Sequence, residues 1–545
     1  MFLPASNGKP AIFAGSNLDR VVLDFPTNPL VGPRSHEPAM KIERQPLLAA
    51  VAIAILYLVL AVACARTLMP WCDEAWFSSP ALNLVMHGQM GTPVLDPTAV
   101  WNSRDLTLID RYTYWITPLY PFSESFWMRV FEFSLLTVRL YSVMWGLVAL
   151  AAWWLVVRKL TANAAAAFLT AALLAVDFTF LWGASVGRMD MMCEALGIGG
   201  IATFLCLREK NFSNAVLLSH ASVAAAGLVH PMALGAWAAL VALTLFFDFA
   251  RIRRSTFGLA VIPYVVGAAA WGAYIAQNPA VFWIQFRGNA TNRFVSGSLI
   301  QWLWGQTIER YLYMFGLSPD TRGISHAKIV ILAAYVVGLA GALIGARIPA
   351  NRGYRALFLM WAAAAIAMSL ADKAVQHFYL IHFLTPVIAI FAVWLHSSWT
   401  KGTVPRWALA GLVSALLCVQ LMVTGSRIAQ DAYRNHYRTA TAFLKQHAGP
   451  TDLIFGSAEL GFDLGFFESR LVDDYRLGFI SGKKAAFIVL DENRYQEWIP
   501  NLKQAEPAAY SYIANLLEHE FSLAYQNPAY KIYTRNTNAP GAVSQ

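Results

Sequence analysis

The feature that most constrains this chain is a series of apolar runs that recurs from residue 46 to residue 425. Each run is about 20 residues long, the length at which a helix crosses the hydrocarbon core of a bilayer. Lipid offers no water to backbone polar groups, so such a run must satisfy them within a helix. The pattern predicts about eleven transmembrane helices, at residues 46–66, 135–157, 162–182, 190–207, 213–229, 232–250, 257–276, 327–346, 356–371, 378–396 and 406–425.

The composition agrees with lipid as the main solvent. Of the 545 residues, 57% are hydrophobic and 13% are charged, whereas soluble proteins carry about 25% charged residues. The net charge of +9 would suit nucleic acid if the basic residues formed one patch, but they occur in short clusters between the apolar runs. That distribution is typical of a membrane protein and argues against nucleic acid as a partner.

Lys and Arg are distributed unequally between the two sets of connections. Alternate connections carry basic clusters, whereas the opposite short connections carry only Arg188 and Lys373. Basic residues collect in cytoplasmic loops, so we expect a cytoplasmic N-terminus with residues 1–45 as a flexible leader. An odd number of spans then places the C-terminus in the periplasm or extracellular space, and the chain in the cytoplasmic (inner) membrane.

Two connections on the predicted outer side are long, at residues 67–134 and 277–326. Both are rich in Trp, Tyr and Phe, but charges and prolines interrupt them. This composition predicts interfacial helices that lie on the membrane rather than spans.

The last part of the chain, residues 426–545, has the patterns of a soluble domain. It contains two helical segments and two buried strands, followed by a hairpin that turns at Asn527 and Pro528; the four segments are residues 434–447, 507–520, 452–457 and 485–491. We therefore predict a small extracytoplasmic α/β domain whose apolar face packs against the outer loops.

The first chemically informative residues are Asp73 and Glu74, just after the first span. They begin a segment with apolar residues at helical spacing, which predicts an amphipathic interfacial helix with two acids at its N-terminus. The helix dipole stabilises ionised carboxylates at that position. Such a carboxylate can accept a proton from a hydroxyl group, although a pair of acids at a helix end can also be plain interfacial solvation.

Four segments, taken in order, resemble the GT-C superfamily of polyprenyl-phosphate-sugar-dependent glycosyltransferases. The similarity is strongest to the bacterial branch related to protein mannosyltransferases and to lipid A aminoarabinose or galacturonic acid transferases. It covers about residues 45–425. The segments are DEAWFSSPALNLVMHGQ (73–89), TPLYPFSESFWMRVFEFSLLTVRLYSVMWGLVAL (117–150), GRMD (187–190) and HFYLIHFLTPVIAI (377–390).

The resemblance implies roles for three acids and one arginine. In the family an essential Asp of the first outer loop serves as general base, which here is Asp73 with Glu74 beside it. Asp190 corresponds to a second acid, which would orient the acceptor or hold a divalent cation. Arg188 would bind phosphate, because a guanidinium matches phosphate oxygens. The alternative for these last two residues is an ion pair that stabilises a helix end.

Further residues are candidate contacts of the carrier phosphate. Lys373, His377 and His382 flank the tenth predicted span, although a lone interfacial Lys often extends to lipid headgroups. Tyr379 and Pro386 complete a pattern that is similar to the family's Tyr and Pro motif. His230 lies on a short outer loop, where helix termination by Pro231 is the alternative explanation.

The sequence departs from the aminoarabinose branch just before the second predicted span. That branch typically has Lys-Pro-Pro-Leu there, and this chain has Ile-Thr-Pro-Leu at residues 116–119. Arg111 is near enough in sequence to supply the missing cation. The departure argues against assignment to the aminoarabinose transferases.

The sequence therefore predicts an α-helical polytopic membrane protein with a GT-C-like domain at residues 46–425. The implied activity is an inverting glycosyl transfer, of hexosyl or pentosyl type, from a polyprenyl-phosphate-linked sugar. Lipid A, a polysaccharide, another lipid and a protein remain open as acceptors. No cofactor is required by the pattern, and a divalent cation remains open. The alternatives are a membrane transporter or lipid flippase, and a structural subunit without activity.

Overall fold

The computed structural model describes residues 44–95, 105–291, 308, 310–317, 323–347, 351–371, 377–467, 470–492 and 494–536. The predicted leader lies outside the described residues up to residue 43. The described residues from Leu48 onward belong to one compact unit, and the few before it to another.

As far as Gln430, the described secondary structure consists of helices. Their bounds are α1 Arg44–Thr67, α2 Cys72–His87, α3 Leu119–Val130, α4 Leu135–Thr161, α5 Ala164–Val176, α6 Phe178–Ser185, α7 Asp190–Leu207, α8 Phe212–Val229, α9 Ala233–Asp248, α10 Arg254–Ile275, α11 Pro279–Thr291, α12 Ile329–Ala346, α13 Arg352–Ala371, α14 Ile381–Lys401 and α15 Arg406–Gln430. Short helical or turn segments lie at Phe249–Arg251, Arg310–Leu312, Tyr313–Leu317, Gly323–Lys328 and His377–Leu380.

Every predicted span coincides with helical structure. Within the described residues, nine helices are long and apolar enough to cross a membrane, and the bent pair α5 and α6 makes a tenth if it is one span. The remaining predicted span, residues 356–371, falls in α13, whose 20 residues extend about 30 Å. The prediction of a multi-pass helical membrane protein is confirmed.

The bend between α5 and α6 depends on one buried acid, Asp177. The two helices meet at 63°, and the Asp177 carboxylate accepts hydrogen bonds from the backbone N–H groups of Thr179 and Phe180, which begin α6. Its other oxygen accepts from the Tyr335 hydroxyl at 2.8 Å and the Gln420 amide at 2.7 Å. The sequence pattern predicted one continuous span here, because hydropathy does not reveal a side chain that caps a new helix.

The described residues of the first long connection include two helices, α2 and α3, and these differ in burial. On α3 the side chains of Phe122, Phe126 and Val130 are exposed, in agreement with an interfacial helix. On α2 most side chains are buried. The C-terminal domain packs on α2, and this contact accounts for part of the burial. The location of α2 at the membrane interface stays a prediction.

The C-terminal domain is a mixed five-stranded sheet with helices. Its strand order is β2-β1-β3-β5-β4, with β1 parallel to β2 and β3, and β5 antiparallel to β3 and β4. The strands are β1 Ile454–Phe455, β2 Leu471–Val472, β3 Phe487–Asp491, β4 Phe521–Gln526 and β5 Tyr530–Arg535, and the helices are α16 Arg438–His447, α17 Gly461–Leu464, α18 Tyr495–Ala505 and α19 Pro507–Asn515. The predicted hairpin is β4 and β5.

This domain shares a hydrophobic core with α2. Ala75 and Leu82 of α2 pack in one cluster with Leu460 and other buried side chains of the domain. The Trp76 indole N–H donates to Asp473 Oδ2 at 3.1 Å. The domain therefore packs against the first long connection, as predicted, and its location outside the cytoplasm stays a prediction. We call this end of the helix bundle the domain end.

Candidate active site

The candidate site begins at the N-terminus of α2. Asp73 and Glu74 lie in its first turn, where the free backbone N–H groups and the helix dipole favour negative charge. The two side chains point to different partners, although they are neighbours in sequence.

Arg188 lies between two carboxylates. Its Nη1 donates to Asp73 Oδ2, and its Nε donates to Asp190 Oδ2 at 2.8 Å. The guanidinium also lies over the rings of Trp71 and Phe77, with Cζ 4.9 and 5.2 Å from their centroids. The ion pair between Arg188 and Asp190, which the sequence left open as the alternative to a phosphate-binding role, is present, and the same arginine also contacts Asp73. The catalytic and phosphate-binding roles of these residues stay predictions. We call Asp73, Arg188 and Asp190 the Arg188 cluster.

Burial within the Arg188 cluster is uneven. The side chains of Arg188 and Asp190 are 3% and 4% exposed, whereas that of Asp73 is 16% exposed. Asp190 begins α7, and its Oδ1 is buried without a hydrogen-bond partner among the described residues. A substrate can therefore reach the Asp73 carboxylate, and the Asp190 Oδ1 atom can still accept a hydrogen bond.

Glu74 forms a separate and completely buried cluster with Arg139. The Arg139 Nε and Nη2 donate to the two Glu74 oxygens, each at 2.8 Å, and both side chains are 0% exposed. Arg139 also donates to the backbone carbonyls of Ala65, Leu68 and Met69 at the end of α1. We call Glu74 and Arg139 the Arg139 cluster.

Backbone groups complete the hydrogen bonding of Glu74. The N–H of Trp71 donates to Oε2 at 2.9 Å, and the N–H of Gly187 donates to Oε1 at 2.8 Å. A side chain at Gly187 would place its Cβ 2.3 Å from Val138 Cγ1, so only glycine permits this approach. Glu74 thus joins α1, α2, α4 and the loop before α7.

One turn along α7 from Asp190, Glu194 forms a second polar group inside the bundle. Its Oε1 accepts from the Thr385 hydroxyl at 2.7 Å and from the Trp153 indole at 3.1 Å. Its Oε2 lies 3.1 Å from His382 Nδ1. These contacts hold α4 and α14 against α7, and His382 is near enough to Asp190 to interact with it electrostatically.

His230 and Tyr379 lie together at the domain end. Both are buried, and their ring centroids are 5.0 Å apart. His230 Nδ1 accepts a hydrogen bond from the Met232 N–H at 3.1 Å, and the ring interacts electrostatically with Asp190. Lys373 and the His377 side chain lie outside the described residues.

Arg111 lies apart from the Arg188 cluster. It lines a cavity of about 660 Å³ between α2, α3 and α10, together with Gln89, Tyr112, Trp271 and Tyr274. Neither Asp73 nor Asp190 lines this cavity. Its mixed aromatic and polar wall suits an organic ligand with a polar group.

The described residues contain no group of three His, Cys, Asp or Glu side chains arranged to hold a metal ion. Asp73 and Asp190 supply only two carboxylates. Arg188 supplies the positive charge between them that a divalent cation would bring, so this donor set fits an arginine better than a metal.

Two titratable groups near the site, the Cys72 thiol of α2 and the Glu124 carboxyl of α3, are buried. Burial raises the pKa of the Cys72 thiol well above its usual value, and burial likewise raises the pKa of the Glu124 carboxyl. Burial therefore favours the protonated form of both groups.

Arg139 and Glu194 were not among the site residues predicted from the sequence. A signal existed for each. Arg139 lies near the start of an apolar span, where a charge requires a partner, and Glu194 follows Asp190 by one helical turn and so shares its face.

Neither a protein-family model nor a curated protein matches this sequence. Solved structures do match. ArnT from Cupriavidus metallidurans, bound to undecaprenyl phosphate, superposes with a TM-score of 0.58 at 13% identity, covering 91% of this chain and 99% of that one. The chain has the GT-C fold.

A second solved structure, from an archaeon, is also similar in fold. The oligosaccharyltransferase AglB from Archaeoglobus fulgidus, in complex with an inhibitory peptide and a dolichol-phosphate, has a TM-score of 0.52 at 13% identity, covering 91% of this chain and 75% of AglB. The GT-C fold therefore extends through the helix bundle and reaches into the C-terminal domain, since 91% of the chain cannot be covered by the bundle alone.

Proposed function

We propose that this chain is a membrane glycosyltransferase that moves a sugar from a polyprenyl-phosphate carrier to an acceptor hydroxyl at the domain end. The observation that carries the proposal is the Arg188 cluster, in which one partly exposed carboxylate shares an arginine with a buried one. The GT-C fold supports it, because the similar ArnT structure holds undecaprenyl phosphate and the similar AglB structure holds a dolichol-phosphate.

Asp73 is the general base of this proposal. Arg188 and the N-terminus of α2 keep its carboxylate ionised, and its exposed fraction allows an acceptor hydroxyl to reach it. The hydroxyl proton passes to Asp73 as the acceptor oxygen bonds to the anomeric carbon. The bond from that carbon to the phosphate oxygen breaks, and its electron pair leaves with the polyprenyl phosphate. A single displacement of this kind inverts the anomeric centre.

Arg188 has two tasks in the same step. It donates hydrogen bonds to Asp73 and Asp190, but a guanidinium has five N–H donors and can also donate to a phosphate oxygen. As negative charge develops on the leaving phosphate, this fixed cation stabilises it without reorganisation. Asp190 keeps the guanidinium oriented for that contact.

Glu74 has a positioning role in this scheme rather than a proton-transfer role. Four donors saturate its two oxygens, and no route for a substrate leads to a fully buried carboxylate. His230, Tyr379, Lys373 and His377 remain proposed contacts of the donor phosphate.

The 660 Å³ cavity is the proposed place for part of the acceptor or donor. Aromatic rings and amide groups suit the faces and hydroxyls of a sugar, and Arg111 suits an anionic substituent.

The direct test is to incubate the purified full-length protein with labelled polyprenyl-phosphate sugars and a membrane extract. We expect release of free polyprenyl phosphate together with labelled acceptor. A transporter or flippase would move lipid between the leaflets of a vesicle without releasing the carrier, and an inactive subunit would do neither. Carrier release in this incubation, together with lipid movement between leaflets when the protein is placed in vesicles, therefore separates the three functions.

A further inference from the structure

Helix α2 carries Asp73 in its first turn and meets the C-terminal domain about one turn later, at Trp76. There the domain presents a buried ion pair. Arg494 donates from Nη1 to Asp473 Oδ2, and the two side chains are 1% and 0% exposed. We call Asp473 and Arg494 the Arg494 pair.

The Arg494 guanidinium lies over two indole rings, one on each side of the boundary between α2 and the domain. Its Cζ is 4.5 Å from the ring centroid of Trp76 and 4.6 Å from that of Trp498. Trp76 belongs to α2 and Trp498 to α18. A cation is attracted to the face of an aromatic ring, so Arg494 attaches α2 to the domain through both rings.

Asp473 holds the same indole of α2 by its N–H group. Its Oδ2 accepts from the Trp76 indole and from the backbone N–H of Ala458, each at 3.1 Å. Its Oδ1 accepts from the Tyr495 hydroxyl at 2.9 Å. Trp76 is therefore bound at its ring face by the arginine and at its edge by the carboxylate, and these two contacts together fix both the position and the rotation of the ring.

The first turn of α2 brings this contact close to Asp73. The Cys72 thiol lies 3.9 Å from Asp73 Oδ1, and the charges of the Arg494 pair act on that thiol. Asp73 Oδ2 accepts from Arg188, which belongs to the loop before α7 and not to α2. A shift or rotation of α2 would therefore change the contact between Asp73 and Arg188.

A buried ion pair supplies direction more than net stability. Apolar side chains of similar volume often stabilise a buried interface at least as well, but they would let Trp76 slide and turn. Orientation matters near a reacting group, because a displacement of about 1 Å can lower a rate about 100-fold.

We propose that Asp473 and Arg494 are positioning residues for sugar transfer: by holding Trp76, they keep Asp73 in contact with Arg188. A part of the chain outside the helix bundle then acts on catalysis through α2. The effect on the rate rests on the proposed function, whereas the hold on α2 does not.

The first measurement is hydrogen exchange of the α2 backbone amides in the purified full-length protein. The test variant combines D473L with R494M, which removes both charges and keeps most of the side-chain volume. The control combines R476Q with E506Q. It removes another ion pair of the same domain, in which Arg476 Nε donates to Glu506 Oε2 at 2.7 Å.

We expect the α2 amides of the test variant to exchange about tenfold faster than those of wild type, because the helix opens locally more often. The control should exchange them at the wild-type rate. W76F keeps an aromatic ring beside Arg494 and loses only the hydrogen bond, so its exchange rate should lie between those of wild type and the test variant.

The second measurement is carrier release at saturating donor over a range of pH. A base that has lost its contact with Arg188 ionises less readily, so the acid limb of the rate profile should move to higher pH in the test variant. The maximal rate should fall about 10 to 100-fold. A smaller folded fraction would instead lower the rate equally at every pH and leave the acid limb in place.

Wild-type exchange of the α2 amides in the test variant would overturn the hold on the helix. Faster exchange with an acid limb that does not move would overturn the positioning role and leave the Arg494 pair a structural contact. A wild-type protein that releases no carrier would contradict the proposed function, and with it the effect of the pair on the rate, whereas the exchange result would stand.

Discussion

Asp73 and Glu74 are adjacent in the chain, but they belong to two regions with opposite character. Glu74, in the Arg139 cluster, is fully buried and accepts hydrogen bonds from four donors. Asp73, in the Arg188 cluster, is partly exposed and shares its arginine with Asp190. The Arg139 cluster has used its whole capacity for hydrogen bonds, whereas the Arg188 cluster retains an oxygen without a partner.

This difference shows how two similar ion pairs can have different roles, one in stability and one in contact with a substrate. A saturated and buried pair fixes helices, because any loss leaves an uncompensated charge in a place without water. A pair with exposed and unsatisfied atoms can exchange partners with a substrate. Four predictions test this contrast.

The largest effect is expected for D73N. The amide keeps the shape of the side chain but cannot accept a proton, and loss of a general base typically lowers the rate by about 100 to 10,000-fold. The measurement is polyprenyl-phosphate release at saturating donor, with E518Q, an exposed acid of the C-terminal domain, as the control. Near-normal turnover of D73N would transfer the base role to Asp190 or Glu74.

Stability, rather than turnover, should respond to E74Q. The substitution leaves the buried Arg139 guanidinium without its counter-charge, which typically costs about 3 to 5 kcal/mol. Thermal unfolding in detergent measures this loss, again against E518Q. The double variant E74Q with R139Q should lose less than the sum of the single variants, because it removes both charges. A stable but inactive E74Q protein would instead place Glu74 in the chemistry, as the sequence alone led us to expect.

A somewhat smaller effect is expected for Arg188. R188A removes the cation beside the leaving phosphate, and the loss of such a group typically lowers the catalytic rate by about 100 to 1,000-fold. R188K should restore only part of the rate, since an ammonium cannot contact Asp73, Asp190 and a phosphate in the same planar geometry. Equal rates for R188K and wild type would show that charge alone, without the shared geometry, is sufficient.

The smallest effect is expected for W76F, on the side of α2 that faces the C-terminal domain. It removes one hydrogen bond to Asp473, which still binds Arg494 and the Tyr495 hydroxyl. The loss should be about 1 kcal/mol of stability, with W407F, an exposed residue of α15, as control. A loss of activity as large as that of D73N would mean that this contact, too, positions the base.

Much of the fold could be predicted, because the bilayer leaves few alternatives. Apolar runs in lipid must be helices, and the hairpin of β4 and β5 followed from alternating residues around Asn527 and Pro528. The pair Arg188 and Asp190 could also be predicted, since only one residue separates them in the sequence. The small strand β2 and the helix α18 were not predicted, because their short or mixed patterns carry little periodic signal.

The site was predicted only in part, for a physical reason. The sequence indicated that Asp73, Asp190 and Arg188 lie at one end of the bundle, but it contained no information on which oxygen would meet which nitrogen. The pairing of Glu74 with Arg139 joins residues 65 positions apart, and that of Trp76 with Asp473 joins residues 397 positions apart. Contacts at such separation depend on how the helices pack.

The sequence by itself determined that this chain is a multi-pass helical protein with a small α/β domain, since hydropathy and strand alternation are local properties. It also determined which side chains carry charge in apolar surroundings. Only the tertiary structure decided that Glu74 is enclosed and Asp73 accessible, and that Arg188 joins two acids. The reason is that burial and partnership belong to pairs of elements brought together by packing, and no single segment contains them.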